Sequence, residues 1–176
     1  IVVGVDTRES SLTIKEAMFD SLFNIKDVGV MPTPAIEFAV RELGADGGII
    51  VTASHNEPEY NGFKFLDSNG AVLKDCDEII KQYHSIAGLS EEEFLNNYLY
   101  KDKTPPRVKK IENIDIKKSY FDFLLKIIKE VGLIKSSNIK VVLDPVGGTA
   151  IIAKELLEQL NIETVCVNCK EGDFKR

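Results

Sequence analysis

Gly48-Ile49-Ile50-Val51 is a short, continuous apolar run, and this stretch decides the class of fold. A run without alternation of polar and apolar residues is typical of a β-strand that is buried on both faces. Ile1-Val2-Val3-Gly4-Val5 is a second run of this kind, at the start of the sequence. The two runs therefore predict strands inside a sheet that helices cover.

The sequence between these two runs alternates helical and strand patterns. A helix is predicted from Ser10 or Ser11 to about residue 24, with Ser11 suited to cap it, and Val28-Gly29-Val30 predicts a short strand. Pro34 suits the first position of the next helix, which makes Thr33 its predicted N-cap. The order β-α-β-α-β predicts an α/β fold with three layers, α/β/α, around a mixed, mostly parallel sheet.

The segment after Val51 predicts the antiparallel part of this mixed sheet. A polar loop over residues 52–60 leads into the alternating segment Phe63-Lys64-Phe65-Leu66. The turn Asp67-Ser68-Asn69-Gly70 separates that segment from Ala71-Val72-Leu73, and we interpret the two segments as a hairpin. A helix is predicted next, over residues 75–85.

A change in composition divides the sequence into two units. Residues 88–112 are highly charged, and we interpret them as a linker that contains a short helix. A helix from about residue 114 to 131 is predicted to open the second unit, and a strand-turn-helix-strand pattern follows over residues 140–167. This second α/β unit has an incomplete sheet. We therefore expect one domain over residues 1–110 and part of a second over residues 111–176.

Composition excludes several classes of function. The net charge of −6 argues against a nucleic-acid partner, because such a partner requires a basic surface. No apolar run is long enough to span a membrane, and the first residues lack both the basic flank of a signal peptide and an initiator Met, so we expect the protein to start earlier. Three sparse cysteines fit a reducing cytoplasm. Cys166 and Cys169 lack a second pair for zinc, and we interpret them as strand-end cysteines.

Polar side chains concentrate where two of the predicted strands end. Open α/β sheets bind ligands beyond the carboxyl ends of their strands. The loop after the third strand carries a hydroxyl, an imidazole and an amide, from Ser54, His55 and Asn56, and Lys64 follows it. The loop after the first strand supplies Arg8. Two cations, an imidazole and a serine suit phosphoryl transfer, in which positioning and charge neutralisation do most of the catalysis.

These segments resemble the α-D-phosphohexomutases, the family that includes phosphoglucomutase, phosphomannomutase and phosphoglucosamine mutase. Thr52-Ala53-Ser54-His55-Asn56, followed by Asn61-Gly62-Phe63-Lys64, is similar to the active-serine signature of that family. Three further segments are similar to its first loop, its next turn and the start of its second domain: Gly4-Val5-Asp6-Thr7-Arg8-Glu9-Ser10-Ser11, Met31-Pro32-Thr33-Pro34-Ala35 and Val142-Leu143-Asp144-Pro145-Val146-Gly147-Gly148. The resemblance covers almost the whole chain and implies an N-terminal fragment of such a protein.

The resemblance implies a role for each candidate residue. Ser54 would carry the phosphoryl group, and its phosphate would bind Mg²⁺ with the remaining metal ligands outside this chain. His55, Asn56 and Lys64 would line the transfer site, with Lys64 as general base or charge stabiliser, and Arg8 would bind the phosphoserine. The implied reaction interconverts hexose 1-phosphate and hexose 6-phosphate through a hexose 1,6-bisphosphate, which would also act as activator. The isolated chain is expected to be inactive.

Two features depart from the pattern of the family. The family usually has Pro directly after the Asn of the serine motif, whereas this sequence has Glu57 and then Pro58. Glu57 puts a negative charge beside the expected phosphate, at a cost of about 1 kcal/mol if solvent screens it. Residues 171–176 superficially mimic a metal loop, but Lys175 stands where a hard cation needs a carboxylate oxygen. We do not expect a metal site there.

The candidate residues also have non-catalytic interpretations. Arg8 could form a surface ion pair with Asp6 or Glu9, and Lys64 could be an exposed strand residue that alternates with its aromatic neighbours. Asp144 with Gly147-Gly148 could cradle a phosphate, but we interpret this segment as structural, because a strand-turn-helix unit needs such glycines. Two alternative functions follow: a non-catalytic relative that binds sugar phosphates, and a serine hydrolase, against which the lack of a Gly-x-Ser-x-Gly motif argues.

Overall fold

The two apolar runs form adjacent strands at the centre of one sheet. The computed structural model describes residues 1–21, 24–94, 97, 110–132 and 139–174. The sheet contains β1 (Val2–Val5), β2 (Ile25–Val30), β3 (Gly48–Val51), β4 (Phe63–Leu66) and β5 (Ile111–Asn113). The strand order is β4-β3-β1-β2-β5, and within this sheet β4 alone runs antiparallel to its neighbour. The predicted mixed, mostly parallel sheet is confirmed.

Helices cover both faces of this sheet. The first two are α1 (Glu9–Ser21) and α2 (Thr33–Glu42), and each of them contacts both β1 and β3. Gly4 faces α2, since a Cβ atom at this position would lie 2.5 Å from Cδ1 of Ile36. Side chains alternate along a strand, so the buried Val3 and Val5 point to the opposite face, where α1 lies. The predicted three-layer α/β/α arrangement is confirmed.

Both predicted N-cap residues are wrong, because each lies inside its helix instead of before it. Helix α1 begins at Glu9, so Ser11 lies inside it, and its hydroxyl donates to Oδ1 of Asp6 at 2.6 Å. The N-cap of α2 is Pro32 rather than Thr33, because Pro32 has the extended conformation that a cap requires. In both places, helix patterning alone leaves the first turn uncertain by one or two residues.

The first core extends beyond the predicted linker. The remaining α-helices of the described residues are α3 (Asp77–Ile86), α4 (Glu91–Phe94), α5 (Lys117–Val131) and α6 (Ala153–Gln159). Phe38 of α2 contacts Tyr120 and Phe123 of α5, with ring centroids 5.6 Å and 4.9 Å apart. No helix in the described part of the chain is long and apolar enough to cross a membrane.

Strand β5 corrects the end of the predicted linker. Ile111–Asn113 pairs with β2 as an edge strand, although we expected residues 88–112 to be linker apart from a short helix. Three residues of moderate polarity give no strand signal alone, and only pairing with Ile25–Val30 makes them a strand. Strand β5 belongs to the first sheet and helix α5 packs against α2, while the boundary between residues 110 and 111 stays a prediction.

The second unit contains a parallel pair of strands, β6 (Lys140–Leu143) and β7 (Glu163–Cys166). The connection begins as a 3₁₀ turn at Thr149–Ile152 and continues as α6, in agreement with the predicted strand-turn-helix-strand order. Ile152 and Leu156 pack against the first core. Cys166 ends β7 as expected, and it forms a disulfide with Cys169, a pairing that we did not predict.

The predicted hairpin after β4 is confirmed in its direction, but its second half is shorter than predicted. Strand β4 pairs with β3, and residues 71–73 return antiparallel to β4 with one bridge, between Leu66 and Val72, and a hydrogen bond of 2.8 Å from the amide of Leu73 to the carbonyl oxygen of Phe65. The turn that separates the two segments packs against the backbone of α2 at Gly70. Gly70 has a φ of 73°, and a Cβ atom there would overlap the carbonyl group of Glu37.

Replacing Gly70 with Ala is expected to lower the free energy of unfolding by about 3 kcal/mol. The methyl group would meet backbone rather than a flexible side chain, and the left-handed conformation disfavours any Cβ. Urea denaturation of the variant and the parent protein measures this loss. Gly88→Ala is the matched control, because a Cβ atom at Gly88 meets no atom within 4 Å. Equal stability of the two variants would contradict the prediction.

Candidate active site

Two polar loops meet at the carboxyl edge of the first sheet. They are the first loop (residues 6–8), after β1, and the serine loop (residues 52–62), after β3. The amide of Asp6 donates to the carbonyl oxygen of Val51 at 3.1 Å, which links the ends of the two strands. Nδ2 of Asn61 donates to the hydroxyl oxygen of Ser11 at 2.8 Å. The topology therefore brings both predicted loops together.

Ser54 lies on a tight turn that exposes it to solvent. The amide of Asn56 donates to the carbonyl oxygen of Ala53 at 3.1 Å and closes the turn. Ser54 occupies its first central position with a φ of 56°, in the left-handed region. This conformation costs a residue other than glycine roughly 1–2 kcal/mol, and such strain clusters at functional sites. Contacts around Ser54 must therefore hold the turn in place.

Arg8 lies beneath the serine loop and holds its backbone. Its side chain is 3% exposed, and Nη1 forms an ion pair with Oδ2 of Asp6 at 2.9 Å. Nε donates to the carbonyl oxygen of Tyr60 at 2.9 Å, and Nη2 donates to those of Ser54 and Asn56 at 3.2 Å and 2.6 Å. The alternative of an ion pair with Asp6 is therefore realised, but Arg8 is buried and Asp6 is only partly exposed. The predicted contact with phosphate stays a prediction.

A cavity of about 250 Å³ opens beside Ser54. The serine loop contributes Ser54, His55, Asn56, Glu57 and Pro58 to its lining, in addition to Arg8. The residue that departs from the family pattern, Glu57, thus faces the same space as the serine. Ser54, His55 and Asn56 thus line one cavity, while their roles in transfer stay a prediction.

The second unit contributes to the wall of this cavity. The sequence did not predict this contribution. Pro145, Val146, Gly148 and Phe174 contribute to the lining. The ring of Phe174 lies 5.3 Å from Cζ of Arg8, within the range of a cation–π contact. Residues 171–176 were considered only as a mimic of a metal loop, and a single aromatic residue in a polar stretch gives no signal of such a contact.

One hydrogen bond ties the second unit to the first loop. The hydroxyl of Thr7 donates to the carbonyl oxygen of Gly147 at 2.8 Å. Gly147 has a φ of 70° and lies against the backbone of Asp173, so the turn leaves no room for a side chain. Asp144 accepts hydrogen bonds from Nδ2 of Asn168 and from the amide of Val146, which supports its structural interpretation.

A second cavity, of about 350 Å³, also borders Ser54. Its lining includes Thr33 at the start of α2, Thr52, His55 and Thr149. Ser54 therefore borders two open spaces, and a group attached to its Oγ atom would be reachable from the start of α2 and from the second unit.

Among the candidate site residues, Lys64 does not line either of these cavities. Its partner across the sheet is Ile50, so its side chain shares the face of the buried Ile50 and Leu66. It is half-buried, and it lines neither of the two cavities that border Ser54. Its predicted role in transfer stays a prediction.

The described residues offer no group of three or more His, Cys, Asp or Glu side chains that could hold a metal ion. Oxygen atoms of a phosphate are hard ligands of the kind that Mg²⁺ prefers, so a phosphate on the hydroxyl of Ser54 would be such a ligand.

Comparisons with known proteins agree with this geometry. Residues 1–88 match the family model of phosphoglucomutase/phosphomannomutase, alpha/beta/alpha domain I. A phosphoglucomutase/phosphomannomutase of Thermococcus kodakarensis is 36% identical over 180 aligned residues, which cover 99% of this chain and 37% of the relative. A phosphoglucosamine mutase of Clostridium botulinum is 34% identical, with 97% of this chain and 37% of the relative covered.

Solved structures give the same result. The crystal structure of a putative phosphomannomutase from Thermus thermophilus aligns with a TM-score of 0.73 at 28% identity, over 98% of this chain and 38% of that one. A phosphoglucomutase/phosphomannomutase family protein from Burkholderia thailandensis aligns with a TM-score of 0.72. The chain spans about 37% of the length of the curated relatives that it matches. Its fold, its serine loop and its similarity along the whole chain show that it belongs to the phosphoglucomutase/phosphomannomutase family.

Proposed function

We propose that the protein containing this chain interconverts hexose 1-phosphate and hexose 6-phosphate through a phosphoserine at Ser54 and a hexose 1,6-bisphosphate. The observation that carries this proposal is the position of Ser54, exposed on a left-handed turn and bordering two cavities. Family membership supports the class of reaction. A buried arginine that holds three loop carbonyl groups supports a serine with a fixed orientation.

In the proposed first step, the phosphoryl group leaves Oγ of Ser54 and bonds to the free hydroxyl oxygen of the sugar phosphate. The P–Oγ bond breaks, the new P–O bond forms, and the proton of the sugar hydroxyl is transferred by way of a protein base to Oγ. The bisphosphate then reorients, and its other phosphoryl group returns to Ser54 by the reverse chemistry. Both steps depend on positioning and on neutralisation of the phosphate charge.

His55, Asn56 and Lys64 are proposed to act on the transferred group. The amide of Asn56 is suited to donate to a phosphate oxygen, and His55 borders both cavities, where it can accept or return a proton. Lys64 would act as base or as a charge stabiliser. Arg8 would act on the phosphoserine chiefly by fixing the loop that carries it.

Mg²⁺ is the proposed cofactor, and a hexose 1,6-bisphosphate is the proposed activator. A phosphate on Ser54 would supply one of the oxygen ligands, and the other protein ligands would come from outside this chain. When bound, the ion would neutralise part of the phosphate charge. The isolated 176-residue chain would accordingly be inactive.

The proposed partner is a small sugar phosphate, with no nucleic acid or membrane involved, and the proposed location is the cytoplasm. The names of the relatives include phosphoglucomutase/phosphomannomutase and phosphoglucosamine mutase, so they do not select one hexose. Phe63 after Gly62 weakly favours glucose or mannose phosphate over glucosamine phosphate.

Phosphorylation of Ser54 tests the proposed function. The full-length protein, incubated with hexose 1,6-bisphosphate and Mg²⁺, is expected to carry phosphate on the peptide that contains Ser54, as measured by mass spectrometry. Addition of hexose 1-phosphate is expected to discharge that phosphate and to yield hexose 6-phosphate. Ser68, exposed in the turn after β4, should remain unmodified and serves as internal control.

Two results would contradict the proposal. Phosphate found stably elsewhere and never on Ser54 would exclude the phosphoserine, and a full-length protein that binds sugar phosphate without turnover would indicate a non-catalytic relative. Labelling of Ser54 by a phosphonylating reagent, in a protein without mutase turnover, would favour the serine hydrolase alternative.

A further inference from the structure

A hydrogen-bond network of polar groups under the serine loop ends at one carboxylate, that of Asp6. Its Oδ2 atom accepts from the hydroxyl of Thr52 at 2.8 Å and from Nη1 of Arg8 at 2.9 Å. Its Oδ1 atom accepts from the amide of Arg8 at 3.0 Å and from the hydroxyl of Ser11 at 2.6 Å. Asp6 thus has four donors, although it takes no direct part in the proposed reaction.

The donor and acceptor capacities of the groups determine the direction of each hydrogen bond in this network. A carboxylate only accepts and a backbone amide only donates, whereas a hydroxyl does both. Thr52 therefore donates its proton to Oδ2 of Asp6, and its Oγ1 atom accepts from the amide of Ser54 at 2.9 Å. The carboxylate polarises this hydroxyl and so strengthens its bond to the Ser54 amide.

The same carboxylate oxygen also supports the other side of Ser54. Nη1 of Arg8 bonds to Oδ2 of Asp6, while Nη2 of Arg8 donates to the carbonyl oxygen of Ser54 at 3.2 Å. Thr52 holds the amide of Ser54 and Arg8 holds its carbonyl group. Both contacts therefore converge on a single atom, Oδ2 of Asp6.

We propose that Asp6 is a positioning residue for phosphoryl transfer, acting through Thr52 and Arg8 to hold Ser54 in its left-handed conformation. This inference rests on the proposed function of Ser54. A displacement of about 1 Å in a reacting group can cost about 100-fold in rate, so a residue that fixes the orientation of Oγ through its neighbours affects the rate. A purely structural Asp6 would merely neutralise the buried Arg8.

Substitutions at Thr52 test this proposal without removing the buried charge pair. Thr52→Val keeps the shape but loses the hydroxyl, and in the full-length protein it is expected to lower kcat by about 10- to 100-fold with KM nearly unchanged. Thr52→Ser keeps the hydroxyl and is expected to restore kcat. Asp6→Asn should lower kcat in the same way, because an amide group has one acceptor oxygen where the carboxylate has two, and no negative charge to pair with Arg8.

A double-mutant cycle separates positioning from general destabilisation. If Asp6 and Thr52 act through the same hydrogen-bond network, the double variant Asp6→Asn/Thr52→Val should have a kcat no lower than that of the less active single variant. Thr164→Val is the matched control. It makes the same loss of one hydroxyl donor in β7, where Thr164 bonds to the carbonyl oxygen of Ile162 and lines neither cavity beside Ser54, so kcat should stay close to the parent value.

Each outcome is decisive for the proposal. A loss in kcat of less than about fivefold for Thr52→Val would overturn the proposal, and so would fully additive losses in the cycle. Turnover by the wild-type protein in the same assay would show that the proposed function of Ser54 still holds. If Asp6→Asn fails to fold, the comparison of Thr52→Val with Thr52→Ser still decides. If the wild-type protein neither turns over sugar phosphate nor carries phosphate on Ser54, the proposed function fails and this inference fails with it.

Discussion

Replacing Ser54 with Ala in the full-length protein is expected to lower kcat for mutase turnover by about 10,000-fold or more. The hydroxyl oxygen is the atom that would bond to phosphorus, and no neighbouring group can replace a nucleophile held at this position. Stability should change by less than about 1 kcal/mol, since the side chain is exposed. A steady-state assay with hexose 1-phosphate, bisphosphate and Mg²⁺ measures the loss in kcat.

Ser68→Ala is the control for this experiment. Ser68 is also an exposed serine in a turn, but it lies outside both cavities that border Ser54. Its replacement should leave turnover and phosphorylation unchanged. If Ser54→Ala retained a tenth of the parent activity or more, Ser54 could not be the phosphoryl carrier.

Replacing Arg8 with Met is expected to destabilise the protein by about 3–5 kcal/mol, in addition to abolishing turnover. The substitution removes the ion-pair partner of the Asp6 carboxylate, which is mostly shielded from solvent. It also removes the donors to three carbonyl groups of the serine loop. Urea denaturation measures the change in stability. Proteolysis within the serine loop should become faster, because its backbone loses its main contacts.

Arg41→Met provides the comparison for this second experiment, since Arg41 lies exposed on α2. We expect a change of less than about 0.5 kcal/mol for that variant. A normal stability for Arg8→Met, combined with lost turnover, would contradict the structural role and would favour direct binding of the phosphoserine by Arg8. The stability measurement thus separates the two interpretations of Arg8.

The acidic balance of the chain makes the placement of Arg8 informative. With a net charge of −6, a protein that handles phosphate as proposed must collect positive charge at the phosphate site. Arg8 directs its donors to protein oxygen atoms, and the aromatic ring of Phe174 lies near the guanidinium group. Much of the positive potential at Ser54 must therefore come from oriented amide groups, from Lys64 or from parts of the protein beyond this chain.

Local patterns were sufficient to predict the framework of the site. The apolar run Gly48-Ile49-Ile50-Val51 predicted a buried strand, and β3 has these bounds. Strand burial depends on the hydrophobicity of consecutive residues, which can be read directly from the sequence. Because loops at the carboxyl ends of parallel strands share one edge of the sheet, the meeting of the two polar loops followed from the strand order.

Patterns that depend on distant partners were predicted less well. Residues 71–73 looked like a strand, yet they form only one bridge, whereas Ile111–Asn113 looked like linker and pairs with β2. A strand requires a partner, and the sequence does not state which edge is available. The contact of Phe174 with Arg8 was missed for the same reason.

The sequence by itself determined the fold class, the family and the position of Ser54 at the edge of the sheet, because these depend on local periodicity and on a contiguous motif. Only the tertiary structure decided that Arg8 is buried and that Asp6, through Oδ2, supports both contacts that hold Ser54. A guanidinium group can donate equally well to a phosphate, a carboxylate or a carbonyl oxygen. Which of these it reaches depends on the three-dimensional distances between segments that are far apart in the chain.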